Sequence, residues 1–188
     1  MSSEYILAID SSLSSTGYAI INFYTEDVIL TGRIETDDKD TEDNRMIYIS
    51  NKLKTFCKLY NIEYSIMESQ YYTVNAKTAM QLSRLRGAIM YALRSNNVFI
   101  EYMLPTEIRK ILLNKGNAKK EEVAKKIQEI YKDNPNVNLG EFNDKSNKKK
   151  NSDMYDAISI GVSYIRKKKN EGWTLWYWGL YKDTWRRS

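Results

Sequence analysis

Four carboxylates in this chain could do chemistry together: Asp10, Glu68, Asp153 and Asp156. Asp10 ends the apolar run Tyr5-Ile6-Leu7-Ala8-Ile9, and Glu68 ends a second run, Tyr64-Ser65-Ile66-Met67. Asp153 and Asp156 stand three apart in a helix-patterned stretch, so both project from one helical face. Each has an ordinary reading of its own. Asp10 could be a turn residue, Glu68 a solvated strand end, and the pair two acids in a first helical turn, where the dipole favours negative charge. Brought together, the four would repel one another and raise their pKa values unless cations entered. Oxygen-only ligands of this kind suit Mg²⁺ or Mn²⁺ rather than zinc or copper. Two such ions about 3.5–4 Å apart would clamp a phosphodiester, one generating hydroxide and the other stabilising the leaving oxygen.

What is missing narrows the field. The 188 residues contain no histidine and one cysteine, Cys57. That excludes a Ser-His-Asp triad, a histidine base, a His-ligated zinc and an internal disulfide. The net charge is +5 and the pI about 9.0, a basic balance that suits a polyanionic partner. The cations are concentrated in the second half: Arg109, Lys110, Lys115, Lys119, Lys120, Lys125 and Lys126, then Lys148-Lys149-Lys150 just before the acidic pair, then Arg166 to Lys169. Lys125 and Lys126 read as a solvated helix face. Lysines flanking the acids read as phosphate contacts. Tyr71 and Tyr72, directly after Glu68, offer rings that could stack on bases or simply pack.

The elements that must position these groups follow from periodicity. Three strands separated by short polar connections, at residues 5–10, 16–23 and 28–34, predict an antiparallel meander. A helix follows, with Met46, Ile47, Ile49, Leu53, Phe56, Cys57 and Tyr60 on its inner face and Asn61 at its end. The strand ending at Glu68 leads to a helix from Ala76 to Leu93, capped by Asn75, with Ala79, Met80, Leu82, Leu85, Ile89, Met90 and Leu93 facing inward. A fifth strand spans 98–102, and Pro105 opens a short helix through Leu113. Ala118 to Tyr131 continues as a lysine-rich helix. Residues 132–151 read as a mobile basic loop, and Ser152 to Lys169 as the final helix. The expected fold is α/β: a five-stranded mixed sheet, three antiparallel strands then two parallel, flanked by helices. If the strands ending at Asp10 and Glu68 are neighbours, their side chains meet at the sheet edge where α/β folds bind ligands.

Four stretches, in order, resemble the RuvC family of Holliday-junction resolvases, members of the ribonuclease H-like superfamily. They are Ile9-Asp10-Ser11-Ser12-Leu13-Ser14-Ser15-Thr16-Gly17-Tyr18, Glu68-Ser69-Gln70-Tyr71 through Asn75 to Leu85-Arg86-Gly87, Gly116-Asn117-Ala118-Lys119-Lys120, and Asp153-Met154-Tyr155-Asp156-Ala157. Ser11-Ser12 stands where the family usually has Pro-Gly. The resemblance implies a ribonuclease H-like fold and a homodimer that nicks branched DNA, four-way junctions above all, with divalent metal. It implies Asp10, Glu68, Asp153 and Asp156 as catalytic metal ligands, Lys120 as the catalytic lysine and Tyr71 as an aromatic wedge. DNA contacts are then expected from Tyr71, Tyr72, Asn75, Arg86, Arg109, Lys115, Lys119, Lys120 and Lys148 to Lys150.

On this reading residues 1–169 form the nuclease domain and 170–188 an aromatic-rich extension. In that extension Trp173, Trp176, Tyr177, Leu180, Tyr181 and Thr184 follow a helical stripe suited first to packing and second to a dimer or DNA contact. No signal peptide or membrane segment is read, so the cytoplasm of a bacterium, or of a host cell for a viral protein, is the expected compartment. Two other functions compete: a nucleotide-binding ATPase of the actin or sugar-kinase type, and a non-catalytic binder of branched DNA. The first needs a second glycine-rich phosphate loop, and the eight glycines are scattered. The second leaves the acid quartet unexplained.

Overall fold

Strand residues alternate between the two faces of a sheet, and that alternation sorts this chain into two cores. The computed structural model describes residues 4–69, 75–137 and 145–172, the side chains of 145–150 excepted. Its strands are β1 (Tyr5–Asp10), β2 (Ser15–Asn22), β3 (Val28–Glu35), β4 (Tyr64–Glu68) and β5 (Phe99–Met103). They form one sheet in the order β3-β2-β1-β4-β5. β1 and β2 pair antiparallel, as do β2 and β3, while β1 with β4 and β4 with β5 pair parallel. The mixed sheet is the expected one.

The helices are α1 (Glu42–Leu59), α2 (Ala76–Arg94), α3 (Pro105–Leu113), α4 (Lys120–Ile130) and α5 (Lys145–Asn170). Leu7, Ile9, Ile20 and Met67 face α1 and α2, meeting Ile49, Leu53, Leu85 and Ile89. Ile6, Ala8, Ala19, Ile21 and Ile66 face the other way, onto Ile108, Ile127, Ile158 and Ile165 of α3, α4 and α5. The N-caps follow side-chain chemistry. The Thr41 hydroxyl accepts from the Asn44 N–H at 3.2 Å, and Asn75 Oδ1 accepts from Lys77 and Thr78 at 2.9 and 3.4 Å.

Three helix expectations change. Ile47, Met80 and Met90 lie outside the core, 57%, 67% and 47% exposed, because α1 and α2 touch the sheet along narrow stripes. On α2 that stripe is Leu85, Ile89 and Leu93. The final helix begins at Lys145, so residues 145–151, expected in a loop, are helical. Lysine is a good helix former, and a helix already packed against the sheet extends at low cost. Asp153 therefore sits eight residues inside α5, about 12 Å from its start. The helix dipole, which fades within the first turn, does not account for the acidic pair.

α5 lies close along β2, and two glycines make that approach feasible. A Cβ on Gly17 would stand 2.0 Å from the Asp153 carbonyl oxygen, and one on Gly161 would stand 2.5 Å from Ile21 Cδ1. From Asp153 to Gly161 α5 rises about 12 Å, and from Gly17 to Ile21 β2 advances about 13 Å. Helix and strand thus run together between the two contacts. Gly17→Ala should destabilise the protein by about 1–3 kcal/mol, since a backbone must give way. Gly161→Ala should cost less, because the end of the Ile21 side chain can turn aside and alanine favours helix. Denaturant midpoints of the two variants check that order.

Candidate active site

Alternation places the sheet acids. Asp10 shares a face with Ile6 and Ala8, and Glu68 with Tyr64 and Ile66, which is the face covered by α5. β1 and β4 are adjacent and parallel, with Ile9 opposite Met67, so the next step of the register sets Asp10 beside Glu68. On the other side Asp10 pairs with Gly17, over which the Asp153 backbone passes. The four acids predicted from the sequence therefore converge at one end of the sheet.

Their electrostatics agree. Burial, then the charges of Asp156 and Glu68, push the Asp10 carboxyl up to about 8, with Asp153 adding to the effect and Lys120 opposing it. Glu68 is raised by burial and then by Asp156, against Lys120, Arg109 and Arg86. Asp156 is raised by burial, against Lys120. Lys120 Nζ lies 2.6 Å from Asp156 Oδ2 although its side chain is 69% exposed. Burial disfavours the ammonium, but Asp156, Asp10 and Glu68 outweigh it and hold the lysine more firmly protonated than usual.

The turn after Asp10 is closed by side chains. Thr16, fully buried, donates its hydroxyl to the Ser12 carbonyl at 2.6 Å and accepts the Ser12 N–H at 3.3 Å. Among the described residues, positive φ outside glycine is confined to Glu26, Asn61, Asn97 and Asn114. Ser12 therefore holds its place without the backbone freedom of glycine. Arg86 of α2 reaches this turn: its guanidinium donates to the Glu68 carbonyl and lies 3.5 Å from Ser11 Oγ.

The remaining expected residues fall into three groups. Arg109 lies near enough to Glu68 and Asp156 to offset part of the rise that burial causes in both carboxyls. Lys115 pairs with Glu122 at 3.3 Å, Lys119 is exposed with its backbone N–H given to Glu122 at 2.7 Å, and Asn75 caps α2. Tyr71, Tyr72 and the tail from 173 lie outside the described residues, as do the side chains of Lys148 to Lys150. The run Arg166 to Lys169 turns away from the acids. Arg166 and Lys169 pair with Glu26, each at 3.0 Å, Lys167 with Glu107 at 2.8 Å and Lys168 with Glu101 at 3.2 Å. These cations pin the far end of α5. Two residues without an assigned role contribute directly: Gly17, by admitting Asp153, and Ser15, whose hydroxyl donates to Asp153 Oδ2 at 2.5 Å. Their position two apart on one strand was the available signal.

A divalent cation suits the donor set. Carboxylate oxygens are hard ligands, and the burial and neighbouring negative charge that lift the Asp10 pKa are conditions a cation offsets. Among the described residues, no three acids are drawn together closely enough to enclose an ion, and the Lys120 ammonium supplies positive charge at Asp156. Asp10, Glu68, Asp153 and Asp156 are the residues that would hold a metal.

A mixed sheet in the order β3-β2-β1-β4-β5 with a long helix across one face is the ribonuclease H-like fold. The fold is shared with the Thermus thermophilus RuvC solved in complex with Holliday junction substrate, with a TM-score of 0.71 and 17% identity over 88% of this chain and 94% of that one. Curated relatives named crossover junction endodeoxyribonuclease RuvC include one from Rickettsia typhi, 27% identical over 87% of this chain and 98% of its own length. Another, from Caldicellulosiruptor saccharolyticus, is 26% identical over 85% and 91%. Residues 6–163 match the family "Crossover junction endodeoxyribonuclease RuvC", and the chain belongs to that family of metal-dependent nucleases. It is an endodeoxyribonuclease by that membership. Among the described residues no helix is long and apolar enough to cross a membrane.

The raised Asp10 pKa sets a pH dependence. Between 3.8 and about 8 the folded protein keeps a proton that the unfolded chain has released. Stability is then full below pH 3.8 and falls as pH rises toward 8. In EDTA the melting temperature should therefore drop between pH 5 and pH 8 (roughly the span of that titration). Asp10→Asn should flatten the slope, and Mn²⁺ should raise the wild-type value at the upper pH. A thermal melt series over pH, with and without Mn²⁺, checks all three.

Proposed function

We propose that this protein resolves four-way DNA junctions by metal-assisted hydrolysis of a phosphodiester in each of two strands. One observation carries the proposal: acids from β1, β4 and α5 converge on one buried face, with their carboxyls pushed toward protonation and a lysine among them. Asp10, Glu68, Asp153 and Asp156 hold Mg²⁺ or Mn²⁺, two ions per site. The bound ions supply activated water and neutralise charge on the scissile phosphate. Asp10, on β1 between β2 and β4, would be one of the ligands of the bound metal. Lys120, exposed at the start of α4, leaves Asp156 to meet phosphate charge as it develops.

DNA contacts extend outward from this centre. Arg109, Lys115, Lys119 and Lys148 to Lys150 hold phosphates, and Tyr71 and Tyr72 enter the junction, with Asn75 and Arg86 supporting that segment. A four-way junction presents two equivalent strands, so a homodimer with two sites is the matching form. Residues 1–169 act as the nuclease, 170–188 as an extension, and the work is done where DNA is, in the cytoplasm of a bacterial cell or an infected host.

Synthetic four-way junction, flap and linear duplex, each with Mg²⁺, Mn²⁺ or EDTA, test the proposal. Nicks should appear near the branch point only with metal, and Asp10→Asn should slow them by at least about a hundredfold. Equal cutting by wild type and Asp10→Asn would sink it. Lys120→Ala should reduce single-turnover cleavage far more than junction affinity, as expected of a group that acts mainly in the transition state.

A further inference from the structure

Ser15 opens β2 on the face that α5 covers, two residues before Gly17 and on the same side. Its hydroxyl donates to Asp153 Oδ2 at 2.5 Å, and the Ser152 hydroxyl lies 3.2 Å from Oδ1. The end of an aspartate side chain turns easily about its last torsion, which has a broad profile. Two hydroxyls, one from the sheet and one from the helix, fix that angle. The contact depends on Gly17, because a side chain there would meet the Asp153 backbone.

The two acids of α5 are thus held by different means. Asp156 is met by the Lys120 ammonium, which supplies an opposing charge. Asp153 is met by neutral hydroxyls, which orient the carboxylate and leave its charge intact. A hydrogen bond to an ionised carboxylate is short and strong for its kind.

We propose that Ser15 is a positioning residue: it fixes the Asp153 carboxylate in the orientation that receives a divalent cation, and so sets the cation affinity of the site. The proposal rests on the reading of Asp153 as a metal ligand. Ser15 touches neither the substrate nor the metal in this scheme. Its effect reaches the metal through Asp153, as partners behind metal ligands commonly do.

Threonine and valine have the same shape, suit a strand, and differ at this position only in the hydroxyl. Ser15→Thr and Ser15→Val, with Asp153→Asn alongside, therefore separate orientation from packing. The primary measurement is Mn²⁺ binding by calorimetry on the whole protein without DNA. Junction affinity in EDTA, melting temperature and cleavage against Mn²⁺ concentration accompany it. Ser15→Val should weaken Mn²⁺ binding about tenfold, with melting temperature and EDTA junction affinity unchanged. Its cleavage rate should recover at saturating Mn²⁺, and Ser15→Thr should behave as wild type. Wild-type Mn²⁺ binding by Ser15→Val, while Asp153→Asn is impaired, overturns the role of Ser15 alone. Equal weakening in Ser15→Val and Ser15→Thr also overturns it, by assigning the effect to size. Wild-type binding by Asp153→Asn removes the ligand reading and this proposal with it.

Discussion

Like charges at close range in a poorly hydrated place are the constraint around which this protein is built. Asp10, Glu68 and Asp156 each sit where burial and a neighbouring carboxylate both oppose ionisation. A fold optimised only for stability would put apolar side chains at the ends of β1 and β4, continuing the faces that Ala8 and Ile66 begin. Placing acids there costs free energy until positive charge arrives, and the surrounding structure is arranged to bear that cost. Lys120 offsets part of it, with Arg109 and Arg86 contributing at Glu68. The rest is what an added cation would offset.

The scaffold answers the repulsion with fixed backbone. β1 is hydrogen-bonded to a neighbour on each side, so Asp10 stands on a strand paired along both edges. The turn that follows it is closed by Thr16, and Arg86 links that turn to the exit of β4. α5 is clamped at two places: at the acids by its approach to Gly17, and near its C-terminal end by ion pairs from Arg166 and Lys169 to Glu26. Charges that would spread apart on loops are held on paired strands and a packed helix.

Much of this could be read from the residues. The run ending at Asp10 and the run ending at Glu68 announced both strands, and would bring the two acids together if those strands were neighbours. The order of the sheet could not be read, because adjacency of β1 and β4 is decided by the chain's return after α1. The start of α5 was missed because Lys148 to Asn151 is polar enough to pass for a loop, yet it continues a helix that packs elsewhere. The basic run from Arg166 to Lys169 shows a limit of another kind. Its partners Glu26, Glu101 and Glu107 are distant in sequence and close only after folding, so its role in pinning α5 is not legible from the residues. Ser15 escaped notice because its partner is 138 residues away.

The run of α5 beside β2 also acts as an index. Each contact admits one alignment: Gly17 accepts the backbone at Asp153, and Ile21 fills the gap left by Gly161. Sliding the helix by one turn, about 5.4 Å, would bring side chains onto both gaps at once. Rotation about its own axis is blocked in the same way. The acids of strand and helix therefore form a rigid gauge with a single setting. Beside it the lysine of α4 is exposed on a long stem, and can move while the gauge stays still.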